Sequence, residues 1–338
     1  MKRLARIMGV LATGVVTLGA TACSGPAQND ATEGSPKSTD VTLMLNFYPY
    51  GDHAPIYYGL KEGIYEKHGI NLKIEPGKGS VATAQAVGAG NVDFGWADTS
   101  ALLSAVDSGV PVKSVGVFYQ TTPSAVQFFT DSGITSPADL KGRTIAITPG
   151  DPYTLLLPAF LKRNEINIAD VKTVNVQAAA KISAVLSGQA DALCGFMSDQ
   201  GPILTEKSGK PTGGLLFADY GLNFFGSGLV IKDDQMAADA ELVRAMWAAT
   251  SEAFVAARQD PDAAVAAMKG ASPTLPAPEV LTEQFTRARE FLFAKDTEGK
   301  APGTNTTEDW ASTIKTLTDV GVIKSERPVE TYYIDIAQ

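Results

Sequence analysis

Short apolar runs alternate with helix-spaced apolar positions along most of the chain. Residues 41–47, 71–75, 92–96 and 114–119 carry β patterns, and 54–67, 81–89 and 101–106 carry helical ones. In 54–67, Ile56, Leu60 and Ile64 recur on one helix face. From Ala125 the alternation repeats, with strands at 126–130, 143–148, 171–176 and 191–196 and helices at 154–164 and 179–187. Ser136-Pro137-Ala138-Asp139 has the residues of a helix start: a capping Ser, Pro at the first position and Asp in the first turn. The halves share a phrase, Gly90-Asn91-Val92-Asp93-Phe94-Gly95 and Gly188-Gln189-Ala190-Asp191-Ala192-Leu193, in which a helix ends at Gly and a strand follows. Strand and helix in alternation predict largely parallel sheets covered by helices, hence two similarly built α/β lobes. A last strand at 228–231 precedes helical spacing at 240–258, 261–269, 278–295 and 308–320, punctuated by Pro276, Pro278 and Gly303.

The first residues carry a different pattern. Lys2, Arg3 and Arg6 precede a stretch, 7–20, that is apolar apart from Thr13 and Thr17. It is too short to span a bilayer comfortably and suits the apolar region of a signal peptide. It ends at Ala20-Thr21-Ala22-Cys23, which resembles a bacterial lipobox with Ala20 where Leu is usual. The expectation is a signal peptide at 1–22, cleavage before Cys23, lipidation of its thiol, and a flexible polar linker at 23–39. No later segment has eighteen uninterrupted apolar residues.

Composition narrows the function. At 338 residues, two lobes are the default. With 28 Lys and Arg against 37 Asp and Glu, the net charge of −9 argues against a general nucleic-acid binder. Two Cys and two His exclude a disulfide framework and a multi-ligand Cys/His zinc site. If Cys23 is lipidated, Cys194 is left without an internal partner. The sequence has no H-E-x-x-H, G-x-S-x-G or P-loop. The expectation is a non-enzyme without catalytic residues, cofactor or metal.

An ordered set of phrases then carries a resemblance. It comprises Asn46-Phe47-Tyr48-Pro49, Asp52-His53-Ala54-Pro55-Ile56-Tyr57, Glu62-Gly63-Ile64-Tyr65-Glu66-Lys67-His68-Gly69-Ile70, Pro76-Gly77-Lys78-Gly79-Ser80, the two repeated phrases, and Ser136 to Gly142. Together they resemble the substrate-binding proteins of ABC importers, in the subgroup that binds thiamine pyrimidines, sulfonates and nitrate. The resemblance implies an α/β, two-lobed periplasmic-binding-protein fold of type II, with a ligand cleft between lobes joined by a two-crossover hinge. Lobe 1 would hold 40–122 and 226–338, and lobe 2 would hold 123–225. It further implies an exported lipoprotein anchored to the outer face of the bacterial cytoplasmic membrane, acting as a monomer and handing a small molecule to ABC permease subunits. The implied ligand is a thiamine pyrimidine precursor; riboflavin, an aliphatic sulfonate such as taurine, and nitrate stay open. Fungal pyrimidine synthases share this fold and use a Cys-rich iron site, where this chain has the lone Cys194.

Ligands of open α/β lobes sit at the carboxyl ends of strands, which selects five segments. The first offers Asn46, Tyr48, Asp52 and His53, with His53 placed by the resemblance beside the ligand ring. The second is Gly77 to Ser80, where backbone N–H groups at Gly79 and Ser80 would grip an anion or carbonyl. The third is Trp96 to Asp98, with Trp96 to stack and Asp98 to accept from an amino group. The fourth is Gly150, Asp151 and Tyr153, and the fifth Cys194, Gly195, Phe196 and Asp199. Tyr119 and Tyr220, by the lobe crossovers, are further ring walls. No cluster of Arg falls in these segments, as a clamp for a strong anion would require.

Overall fold

The computed structural model describes residues 38–149 and 152–336. The expected signal peptide, Cys23 and nearly all of the linker lie outside the described residues, as do Gly150 and Asp151.

Among the described residues, ten strands form two five-stranded sheets. The first is ordered β2-β1-β3-β10-β4, from β1 (Thr39–Met44), β2 (Ile70–Glu75), β3 (Phe94–Asp98), β4 (Val112–Val117) and β10 (Ser227–Lys232). The second is ordered β7-β6-β8-β5-β9, from β5 (Ser124–Phe129), β6 (Thr144–Ile147), β7 (Lys172–Asn175), β8 (Ala192–Phe196) and β9 (Thr212–Leu216). The expectation of largely parallel sheets needs correcting. β10 runs antiparallel to both β3 and β4, and β5 antiparallel to both β8 and β9. These are the two strands that receive the chain as it passes from one sheet to the other, and each enters its new sheet reversed. The passages lie side by side: the Gly226 N–H donates to the Tyr119 carbonyl at 2.8 Å, and the Tyr119 N–H to the Ser227 carbonyl at 3.1 Å.

The repeated phrase has a shared geometry. Gly90 and Gly188 end their helices at φ +71° and +74°, a conformation that suits glycine. Three residues later, Asp93 accepts the Thr42 N–H and Asp191 the Thr144 N–H, each at 2.8 Å. The backbone answers in both halves, with the Asp N–H donated to the carbonyl of the same Thr. Each carboxylate thus ties the turn before one central strand to the first of its neighbours.

The helical segment predicted at 54–67 is two helices, Ala54–Lys61 and Ile64–Lys67, because Gly63 sits at φ +68° between them. The long helix Ala240–Gln259 starts at Asp239, whose side chain accepts the Leu242 N–H. Its Val243, Met246, Ala249, Ala253, Phe254 and Ala257 follow helical spacing and are buried. Trp96 of β3 stacks on this face at Phe254, with ring centroids 5.6 Å apart. Helix Gln200–Ser208 and strand β9 carry no clear sequence signal, since Gly201-Pro202 opens the one and Gly213-Gly214 interrupts the other.

Candidate functional site

A cavity of about 330 Å³ lies between the two sheets, at the carboxyl ends of β1, β3, β6 and β8. Asn46, Phe47, Tyr50, Gly79, Ser80 and Asp98 come to it from the first sheet. Ser124, Thr148, Tyr153, Leu156, Lys181, Gly195, Phe196, Asp199 and Gln200 come from the second. Helices Ser80–Gly88, Tyr153–Arg163, Lys181–Leu186 and Gln200–Ser208 all begin at its wall.

On the first side, the strand end and the glycine turn build each other. A Cβ on Gly77 would fall 1.8 Å from the Leu45 carbonyl oxygen, so only glycine lets the turn lie this close. The Gly77 N–H donates to the Phe47 carbonyl at 3.0 Å and the Gly79 N–H to the Asn46 carbonyl at 2.8 Å. The Gly79 amide is therefore occupied, which corrects the expectation that it grips an anion or carbonyl; Gly79 and Ser80 still line the wall. The Ser80 hydroxyl accepts the Asp98 N–H at 3.1 Å, and the Asp98 carboxylate caps helix Thr99–Asp107 through the Ser100 N–H and hydroxyl. Asn46 is held by its own turn: its Oδ1 lies 2.8 Å from His53 Nε2, and its Nδ2 donates to the Tyr50 hydroxyl at 3.4 Å.

On the second side, Lys181 is buried, donates to the Cys194 carbonyl at 2.8 Å and lies 5.3 Å from the centre of the Tyr153 ring. The Tyr153 hydroxyl is 3.4 Å from that of Ser124. Gly195 leaves room for Gln200, whose Oε1 would lie 1.5 Å from a Cβ there. Asp199 receives the Tyr48 hydroxyl at 3.3 Å. Burial pushes the Asp199 carboxyl up to about 7, while Lys181 and the Tyr48 hydrogen bond pull it down. Asp52 is also held well above the ordinary carboxylate range, chiefly by burial. The wall thus presents aromatic faces, amide and hydroxyl groups, the lysines Lys78 and Lys181, and the carboxyls of Asp98 and Asp199. No arginine lines it among the described residues.

The family model described as NMT1/THI5 like matches residues 50–264. The chain belongs to the NMT1/THI5-like family. Among its relatives, the riboflavin-binding protein RibY of Chloroflexus aurantiacus is 28% identical over 78% of this chain and 77% of its own. The formylaminopyrimidine-binding protein of Halalkalibacterium halodurans is 24% identical, with 67% and 68% covered. A 4-amino-5-hydroxymethyl-2-methylpyrimidine phosphate synthase of Legionella pneumophila is 36% identical over 31% of this chain and 33% of its own. Among solved structures, the periplasmic aliphatic sulphonate binding protein SsuA of Escherichia coli superposes with a TM-score of 0.67 at 17% identity, covering 88% of this chain and 92% of SsuA. The fold is the two-lobed, type II periplasmic-binding-protein fold, and the chain is a solute-binding protein of NMT1/THI5 type.

Within this NMT1/THI5-like protein, the cavity brings together Asn46, Gly79, Ser80, Asp98, Tyr153, Gly195, Phe196 and Asp199. Seven other expected contacts stand off the wall. Trp96 is fully buried among Phe118, Tyr119 and Phe254, because alternation along β3 turns it to the face covered by helix Ala240–Gln259. Tyr119 donates its hydroxyl to the Asp52 carbonyl at 2.6 Å. His53 is behind Asn46, and Asp52 accepts from the Ser198 hydroxyl at 2.7 Å. Tyr48 reaches Asp199 rather than the cavity. Cys194 points into the core, since its neighbour Gly195 takes the cavity side. Tyr220 packs edge-on against Phe160, 5.9 Å between centroids. Tyr50, Ser124, Lys181 and Gln200 line the cavity without having been expected to. Tyr50 sits four residues past Asn46 in the same turn, and the bond from His53 to Asn46 is what makes the three one unit.

Proposed function

We propose that this chain is the extracytoplasmic binding protein of an ABC importer, anchored through a lipid on Cys23, that captures a thiamine pyrimidine precursor of the hydroxymethylpyrimidine or formylaminopyrimidine type and delivers it to the permease subunits. Residues 40–122 with 226–338 form one lobe in this reading and 123–225 the other, with the paired crossovers as the hinge. The protein works as a monomer.

The observation that carries the ligand class is the wall itself. Phe47, Tyr50, Tyr153 and Phe196 supply ring faces, while Asn46, Asp98, Asp199 and Gln200 supply groups that match ring nitrogens and amino hydrogens. At crystal-like packing, the cavity holds a molecule of about 250 Å³. That accommodates one substituted ring and is tight for a tricycle with a long polyol tail. The absence of arginine from the described wall weighs against sulfonate and nitrate. Binding without turnover is supported by His53, whose ring is committed to Asn46, and by Cys194, whose thiol does not reach the wall. Riboflavin is the second reading, favoured by the extent of the match to RibY.

Calorimetric titration of the purified protein with hydroxymethylpyrimidine, formylaminopyrimidine, riboflavin, taurine and nitrate tests the assignment. Saturable one-to-one binding of a pyrimidine is expected. Tight binding of taurine or nitrate with no heterocycle binding rejects it. Mass spectrometry of the membrane-bound form should find Cys23 at the N-terminus carrying a thioether-linked lipid.

A further inference from the structure

Helix Pro278–Ala288 supplies no residue to the cavity wall, yet one of its side chains reaches a residue that does. Gln284 is fully buried. Its Oε1 accepts the Gly51 N–H at 2.9 Å, and its Nε2 donates to the Asp199 carbonyl at 2.9 Å and to the Asp199 carboxyl at 3.2 Å. Gly51 follows β1 of the first sheet, and Asp199 follows β8 of the second. One amide therefore spans the junction between the two sheets, with its acceptor on one side and its donor on the other. Flipping it would set its NH₂ against the Gly51 N–H, so its orientation is determined. Helix and turn are pressed together: a Cβ on Gly51 would lie 2.4 Å from Gln284 Cβ and 2.5 Å from the Leu281 carbonyl oxygen. The carboxyl that Gln284 grips also receives the Tyr48 hydroxyl, again from the first side. The adjacent residue, Ser198, donates across the same junction to Asp52.

We propose that Gln284 is a positioning residue: by holding Asp199 against Tyr48 at the cavity edge, it keeps the two lobes closed on one another before any ligand arrives. It acts through Asp199 and touches nothing in the cavity. A closed population that exists without ligand presents a preassembled wall and lowers the conformational cost of capture.

Nitroxide labels on Lys61→Cys and Lys207→Cys, exposed positions on the two sides, read the interlobe distance with no ligand added. Cys194 is fully buried and stays unlabelled. The wild-type background should show one dominant short distance. Gln284→Leu should lower the closed-to-open ratio about tenfold, the scale of one lost buried hydrogen bond. Tyr48→Phe should shift it in the same direction. Both act on one carboxyl, so the double variant should fall short of the product of the two effects. Should Gln284→Leu fail to fold, Gln284→Glu keeps the shape, removes the donor and should open the lobes likewise. An unchanged distance distribution in the folded variant overturns the proposal, as does a wild-type protein found only at long distance. A failed pyrimidine titration would bear on the ligand assignment and leave this result standing.

Discussion

Asn46, Tyr50 and His53 share one turn, and each is useful only as the others hold it. His53 Nε2–H donates to Asn46 Oδ1, which leaves Nδ1 to face the Tyr50 N–H at 3.4 Å. Burial lowers the His53 pKa from 6.5 to about 3, so the folded protein refuses a proton that the unfolded chain accepts. Its stabilising contribution is whole above pH 6.5 and is lost as pH falls toward about 3. Asp199 has the opposite sign. Its pKa rises from 3.8 to about 7, so the folded state holds an extra proton between those values, and stability is lost as pH rises through them. Asp52 adds to that slope. Urea midpoints across pH 4 to 7 should therefore decline less on acidification in His53→Gln, and less on alkalinisation in Asp199→Asn, than in the parent. Trp96→Ala should cost about 3–5 kcal/mol of stability by urea unfolding, as large core deletions do; Trp96→Phe should keep ligand affinity. Asn46, Ser80 and Asp98 were legible because they follow strand ends. Trp96 was misread because a one-residue step along a strand reverses the face. Lys181 was invisible: a lysine after Ala178-Ala179-Ala180 resembles a solvated one, and the Cys194 carbonyl and Tyr153 ring that it meets in the fold are not its sequence neighbours.

At the level of elements, strand–helix alternation located most of the parallel strands and the C-terminal helices within a few residues. It located them because apolar spacing is a local property. Where glycine or proline supplies the geometry, local spacing fails, as at Gly63, in helix Gln200–Ser208 and in β9. The duplicated phrase was legible as sequence, but its reason was not, since Thr42 and Thr144 are far from Asp93 and Asp191 along the chain. Asp93→Ala and Asp191→Ala should each cost about 1 kcal/mol in chemical denaturation, the scale of one hydrogen bond. They lie in different sheets with no shared partner, so their costs should add.

On the scale of the molecule, both sheets supply the cavity, so a ligand stabilises the two together. A pyrimidine at a hundred times its dissociation constant should raise unfolding stability by about 2.7 kcal/mol, seen by calorimetry as one transition moving upward; a lower transition left in place would show that only one side binds. The sheet orders were beyond sequence reading because β5 and β10 look like any other strand. Only the chain's passage between sheets reverses them. The position of β10 between β3 and β4 has a consequence for synthesis. Everything the second sheet needs lies between Ser124 and Leu216, so it can assemble as soon as that stretch is made. β4 must wait for Ser227–Lys232 before it has a neighbour in its sheet. The half made first is therefore the half completed last, and the growing chain carries an unfinished sheet edge until its inner half is built.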